Sequence, residues 1–178
     1  FETEGALHFE QLADVYISLN GDASPDNFTE YKTTKAPQLQ VIFLNRLTDR
    51  IGDLSYKLLA RIDADLNVTL APNPEIGQRW FPLAIALKYN VALDRANHYV
   101  SYQGRMKYIM PVYQALVKYG RRDLAYQWFI QNQNFYHPIA LAKVRQIVLS
   151  STQATMSLAD QELIARAEYS IKSHRVVY

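Results

Sequence analysis

Residues 80–89, WFPLAIALKY, are apolar at nearly every position. A helix with so few polar positions is covered on most sides, which places this one in the middle of a domain. Pro82 falls in the first turns of that helix or kinks it. Working outward, the periodicity is helical nearly throughout. Toward the N-terminus, Phe9, Leu12, Tyr16 and Leu19 form one stripe, and Leu39, Ile42, Phe43 and Leu47 a second. Leu54, Leu58, Ile62 and Leu66 form a third, with Asp53 placed to cap it. The Gly-, Asp- and Pro-rich stretch NGDASPDN at 20–27 is a loop. NVTLAPNP at 67–74 reads as a connection because it holds two prolines.

Toward the C-terminus, Leu93, Ala96 and Val100 mark a short helix. Leu116, Val117 and Tyr119 continue another that opens near residue 105. Gly120 breaks the chain, Asp123 is placed to cap, and Leu124, Trp128 and Phe129 follow. HPIALAKVRQIV at 137–148 is a further helix, with Pro138 suited to the first helical position. SSTQAT at 150–155 is a polar linker. Residues 157–174 form an amphipathic helix, with Ser157 and Asp160 at capping-box spacing. No strand alternation is visible. The predicted class is all-α: layered antiparallel helices in an armadillo-like, right-handed α-α superhelix. No fixed-period repeat supports a regular solenoid. The predicted division is one helical domain over 1–148, then a linker and tail helix over 149–178 packed on it.

The chain has 178 residues, 49% hydrophobic and 20% charged, with a net charge of +2. That is globular composition, and the charge is too small to make nucleic acid or an acidic membrane the main partner. There is no cysteine, hence no disulfide, thiolate nucleophile or cysteine-bound metal. No apolar run approaches the roughly 20 residues that span a bilayer, and no signal peptide is visible. The chain opens at Phe1, as expected of a processed product or a piece of something longer. No compartment is assigned beyond a slight lean to the cytoplasm.

Little chemistry is written in motifs. His8, His98, His137 and His174 include no i, i+4 pair, so the paired-histidine zinc motif is absent. His137, before Pro138, caps or packs a helix start. No G-x-S-x-G elbow or P-loop occurs. Asn27-Phe28-Thr29 and Asn67-Val68-Thr69 match the glycosylation pattern, but read as two exposed loop segments. Asp63 and Asp65 point to different sides of one helix, and Arg61 with Asp65 makes an i, i+4 pair on a solvated face. Lys118, Arg121 and Arg122 form a basic knot that complements a helix C-terminus.

QGRMKYIMP at 103–111 is different. A helix start is electropositive and normally attracts acids, yet Arg105 and Lys107 stand there. In mid-helix they would lie about 200° apart. In an extended segment entering a helix they point the same way. Pro111 favours that arrangement, because proline is tolerated in a first turn, and Gly104 permits a sharp turn before it. Two cations and unpaired helix amides make an anion site. The alternative is that both side chains reach Asp or Glu elsewhere in the fold.

QGRMKYIMPVY resembles the C-terminal helical domain of leukotriene A(4) hydrolase and its zinc aminopeptidase relatives. NPEIGQRW at 73–80, Pro111 and HPIA at 137–140 also match, and the likeness covers roughly 36–148. The resemblance implies a helical domain that walls one side of the active-site cleft of a separate zinc-bearing domain of the same polypeptide. It implies that Arg105 and Lys107 bind the substrate carboxylate, a peptide C-terminus or the acid of a lipid epoxide. It implies removal of N-terminal residues from short peptides through a zinc-activated water, with the zinc held outside this chain. This chain then carries no catalytic residue and no metal ligand, and alone should be inactive. Gly104, Met106 and Tyr108 are carried over as structural. Ile109 and Met110 are apolar where the vertebrate hydrolase is more polar, and residues 149–178 have no counterpart. A different reading is a free-standing helical-array module that holds an acidic partner on this basic site or on the Arg121–Arg122 knot. A wall domain cut from its partner should also expose an apolar patch and self-associate.

Overall fold

The computed structural model describes residues 2–149, with side chains from residue 5 onward. Every regular element among the described residues is helical, so the all-α reading holds. The chain divides into two compact units, the first ending at Arg95 and the second beginning at Ala96.

In the first unit, α1 (Glu2–Leu19) packs on α3 (Pro37–Asp49), and α3 packs on α5 (Pro74–Ala86). Phe9, Leu12, Ala13 and Tyr16 of α1 and Phe43, Leu44 and Leu47 of α3 are buried, as their stripes predict. Asp14 fixes the pairing from the rim: its carboxylate accepts from Arg46 Nε at 2.9 Å and Arg50 Nη1 at 3.1 Å. The short α2 (Thr29–Thr33) lies in a stretch the periodicity leaves unassigned.

Two helix starts differ from expectation. α4 (Tyr56–Leu66) is capped by Ser55, whose Oγ accepts from Leu58 N at 3.1 Å. Asp53 instead closes a 3-10 turn at Ile51–Asp53 and accepts from Arg50 Nε. α5 starts well before Trp80. Asn73 Oδ1 accepts from Glu75 N at 3.0 Å, and Pro74 takes the first helical position, where a missing N–H costs nothing. The proline that signals a loop here opens a helix. Pro82 is therefore interior, and its ring supplies no N–H to the carbonyl of Gln78. The apolar run itself is central as expected: Trp80, Phe81, Leu83, Ala84 and Ile85 are buried.

The second unit takes in most of α6 (Leu93–Tyr102), then α7 (Met106–Lys118), α8 (Arg122–Asn132) and α9 (Pro138–Leu149). The last three pack on one another. Ile109, Val112, Leu116, Ala125, Val144 and Val148 fill the space between them. Gly120 adopts φ +83°, a left-handed conformation that ends α7 at the predicted break. Asp123 lies inside the first turn of α8 rather than capping it, and pairs with Arg121 Nε at 3.2 Å. His137 Nδ1 accepts from Ile139 N at 3.3 Å and Pro138 opens α9, as read from the sequence. The predicted tail helix lies outside the described residues.

Candidate carboxylate-binding site

The connection from α6 to α7 is three residues long, Gln103 to Arg105. Gln103 N still donates back to Tyr99 O at 2.8 Å. Arg105 is extended (φ −81°, ψ 131°), and the helix begins at the next residue. Lys107 is thus the second helical residue. The expected geometry of an extended segment entering a helix is present at this point. Two of its supposed causes are not. Gly104 is not left-handed, and a Cβ there would meet only Phe135, at 3.7 Å, an ordinary contact. Pro111 is the sixth residue of α7 rather than a first-turn residue. It supplies no N–H to the Lys107 carbonyl and so weakens the ladder just behind the basic pair.

Both cations are exposed, and they meet on one ring. Arg105 Cζ and Lys107 Nζ each lie 5.4 Å from the centroid of Tyr108. The ring itself is 8% exposed and cannot swing away. Its face attracts positive charge, so it holds two groups that repel each other. Among the described residues, no carboxylate forms an ion pair with Arg105.

The helix that carries this pair also takes part in a buried polar tie. Tyr113 of α7 and Tyr136 of the α8–α9 turn bring their hydroxyls to 2.8 Å, and Tyr136 OH donates to Val100 O of α6 at 2.7 Å. Burial pushes the Tyr136 phenol up to about 12 and raises Tyr113 as well. Both hydroxyls stay neutral hydrogen-bonding groups. They pin the start of α9 and the end of α6 to the helix that carries the cations. No sequence signal marks two tyrosines 23 residues apart as partners.

Other candidates resolve into structure. The basic knot disperses: Lys118 lies over the Tyr119 ring in the last turn of α7, and Arg121 pairs with Asp123. Arg122 is buried and donates to the Val148 carbonyl at the end of α9. Arg61 donates to Gly21 O rather than pairing with Asp65, which accepts from Tyr16 OH at 2.9 Å. Asp63 faces elsewhere, as expected, and accepts from Thr69 Oγ1 at 2.7 Å and Tyr89 OH at 2.6 Å. Thr69 also receives Trp80 Nε1 at 3.0 Å and is buried, so the second glycosylation-like triplet is not a wholly exposed loop segment. His8 pairs with Glu30, and His98 stacks on Tyr102. Among the described residues, no three His, Asp or Glu side chains stand where they could hold a metal.

Among the described residues the fold is all-α, with a basic pair at the start of α7. The chain belongs to the family described as leukotriene A4 hydrolase, C-terminal, whose model matches residues 35–148. It is similar to leucine aminopeptidase 2 of Yarrowia lipolytica, 28% identical over 140 residues, 72% of this chain and 21% of that protein. The leucine aminopeptidase 2 of Lodderomyces elongisporus is 30% identical over 139 residues, 68% of this chain and 21% of that protein. A leukotriene A-4 hydrolase homolog of Botryotinia fuckeliana is 31% identical over 80 residues, 45% of this chain and 12% of that protein. The chain thus spans about a fifth of the length of the first relatives it matches. No solved structure gives a significant match. The NPEIGQRW stretch that helped to carry the resemblance is structural here: Asn73 caps α5, Glu75 pairs with Arg79, and Trp80 is buried.

Proposed function

We propose that this chain is the C-terminal helical domain of a zinc aminopeptidase, and that Arg105 and Lys107 bind the C-terminal carboxylate of its peptide substrate. The observation that carries this is the exposed Arg105–Lys107 pair gathered on the Tyr108 ring at the start of α7. A carboxylate arriving at this point would meet a guanidinium, an ammonium and the positive end of a helix, and could accept charge-assisted hydrogen bonds from them. The domain would wall the cleft of a catalytic domain in the same polypeptide. Zinc does not fit the described residues, which offer no cluster of metal-ligating side chains. It would be held by that other domain, and no step of hydrolysis is assigned to the residues described above.

A hydrogen bond to a charged group is worth about 1.5–3 kcal/mol. Arg105→Ala in the full-length enzyme should therefore lower kcat/KM on short peptides roughly 10- to 150-fold. The loss should shrink on peptides with an amidated C-terminus. Equal losses on acid and amide peptides would overturn the clamp.

A further inference from the structure

We infer that Phe135 forms an apolar subsite beside the Arg105–Lys107 pair and takes the side chain of the substrate's C-terminal residue. This rests on the carboxylate reading above and specifies which peptides the site prefers.

Phe135 is 52% exposed, so one side of its ring is open to cover. Its ring edge lies against Gly104, where a Cβ would sit 3.7 Å from Cζ and 3.8 Å from Cε2. Gly104 directly precedes Arg105, so the ring borders the backbone that presents the first cation.

The ring is held in place rather than carried on a loose tip. Phe135 N donates to Asn132 O at 2.9 Å. Asn132 is itself buried, with Nδ2 donating to Trp128 O at 2.8 Å. The next residue, Tyr136, is buried and anchored on Val100 O, and its ring stands 5.8 Å from that of Phe135. A rigid aromatic surface of this kind loses little entropy when it is covered.

The chemistry of the ligand supplies the rest. In a peptide, the last side chain branches from the carbon that bears the carboxylate. A carboxylate held by Arg105 therefore brings that side chain beside the clamp. Apolar surface there favours leucine or phenylalanine over glycine, since covering it removes both partners from water.

The test compares two tripeptides, Ala-Gly-Leu and Ala-Gly-Gly, on the full-length enzyme. The readout is the ratio of their kcat/KM values. Phe135→Ser should lower the leucine-to-glycine ratio about tenfold, the scale of a hydrophobic-pocket discrimination. Phe135→Leu, which keeps an apolar surface, should retain most of it. An unchanged ratio in Phe135→Ser, including equal losses on both peptides, overturns the subsite and marks the ring as a contact with another part of the polypeptide. Failure of the clamp itself would appear elsewhere, in the acid-versus-amide comparison with Arg105→Ala.

Discussion

The guanidinium carbon of Arg105 stands 5.4 Å from the ring centroid of Tyr108, the residue three positions further along the chain. That ring is buried and also lies 5.4 Å from Lys107 Nζ, so one immobile side chain orders both cations. A cation–π contact at an exposed site is worth about 0.5–1 kcal/mol. Tyr108→Leu in the full-length enzyme should raise KM for acid peptides roughly 2- to 5-fold with kcat little changed, the mark of lost ground-state binding. Tyr108→Phe, which keeps the aromatic face, should lose less affinity for acid peptides than Tyr108→Leu. A fall in kcat at constant KM would assign Tyr108 a different role.

Thr69 holds the first unit together at a point that looks like an ordinary loop. Its hydroxyl donates to Asp63 and accepts from Trp80 Nε1, while its backbone N–H donates to the same carboxylate at 2.9 Å. Thr69→Val preserves shape and removes both hydroxyl bonds, leaving a buried indole N–H without that acceptor. The expected cost is about 1–3 kcal/mol, read as a lower urea midpoint. Thr69→Ser should recover most of it. A Val variant as stable as wild type would show that the two hydroxyl bonds contribute nothing.

These two sites separate what the chain announces from what it conceals. Stripes such as Leu58, Ile62 and Leu66 repeat locally, so burial at one position implies burial at the next. The basic pair was legible for the same reason, because Arg105 and Lys107 are near neighbours whose direction depends only on local backbone. Asn73 and Pro74 misled because proline marks a loop and a helix start alike, and only the cap bond to Glu75 N separates them. Tyr113 with Tyr136, Thr69 with Trp80, and Phe135 against Gly104 are long-range or edge contacts. No periodicity encodes them.

Arg122 shows how a charge can be spent inside a fold. It is 6% exposed and donates to the Val148 carbonyl, in the last described turn of α9. Arg122→Met keeps the apolar stem and deletes the donor. Stability should fall by about 1–3 kcal/mol, with amide exchange accelerating first at the end of α9. If protection there is unchanged, the arginine is not holding that helix end.

The buried tyrosines set a limit on the alkaline side. Burial raises the phenols of Tyr16, Tyr31, Tyr89, Tyr113 and Tyr136 above their ordinary value of 10.0, with an Asp carboxylate adding to the effect at Tyr16 and Tyr89. The native state therefore keeps these protons at a pH where the unfolded chain has released them. Their contribution is whole below pH 10 and is lost as pH climbs through the raised values, because over that range the unfolded state binds fewer protons. Stability should accordingly decline above pH 10, and part of the phenolate absorbance should appear only together with loss of helical circular dichroism. Tyr31 is raised by burial alone, so Tyr31→Phe removes one late-ionising group and should shift the alkaline unfolding midpoint upward. Phenolate absorbance that is complete before any helix is lost would mean these hydroxyls reach solvent in the native state.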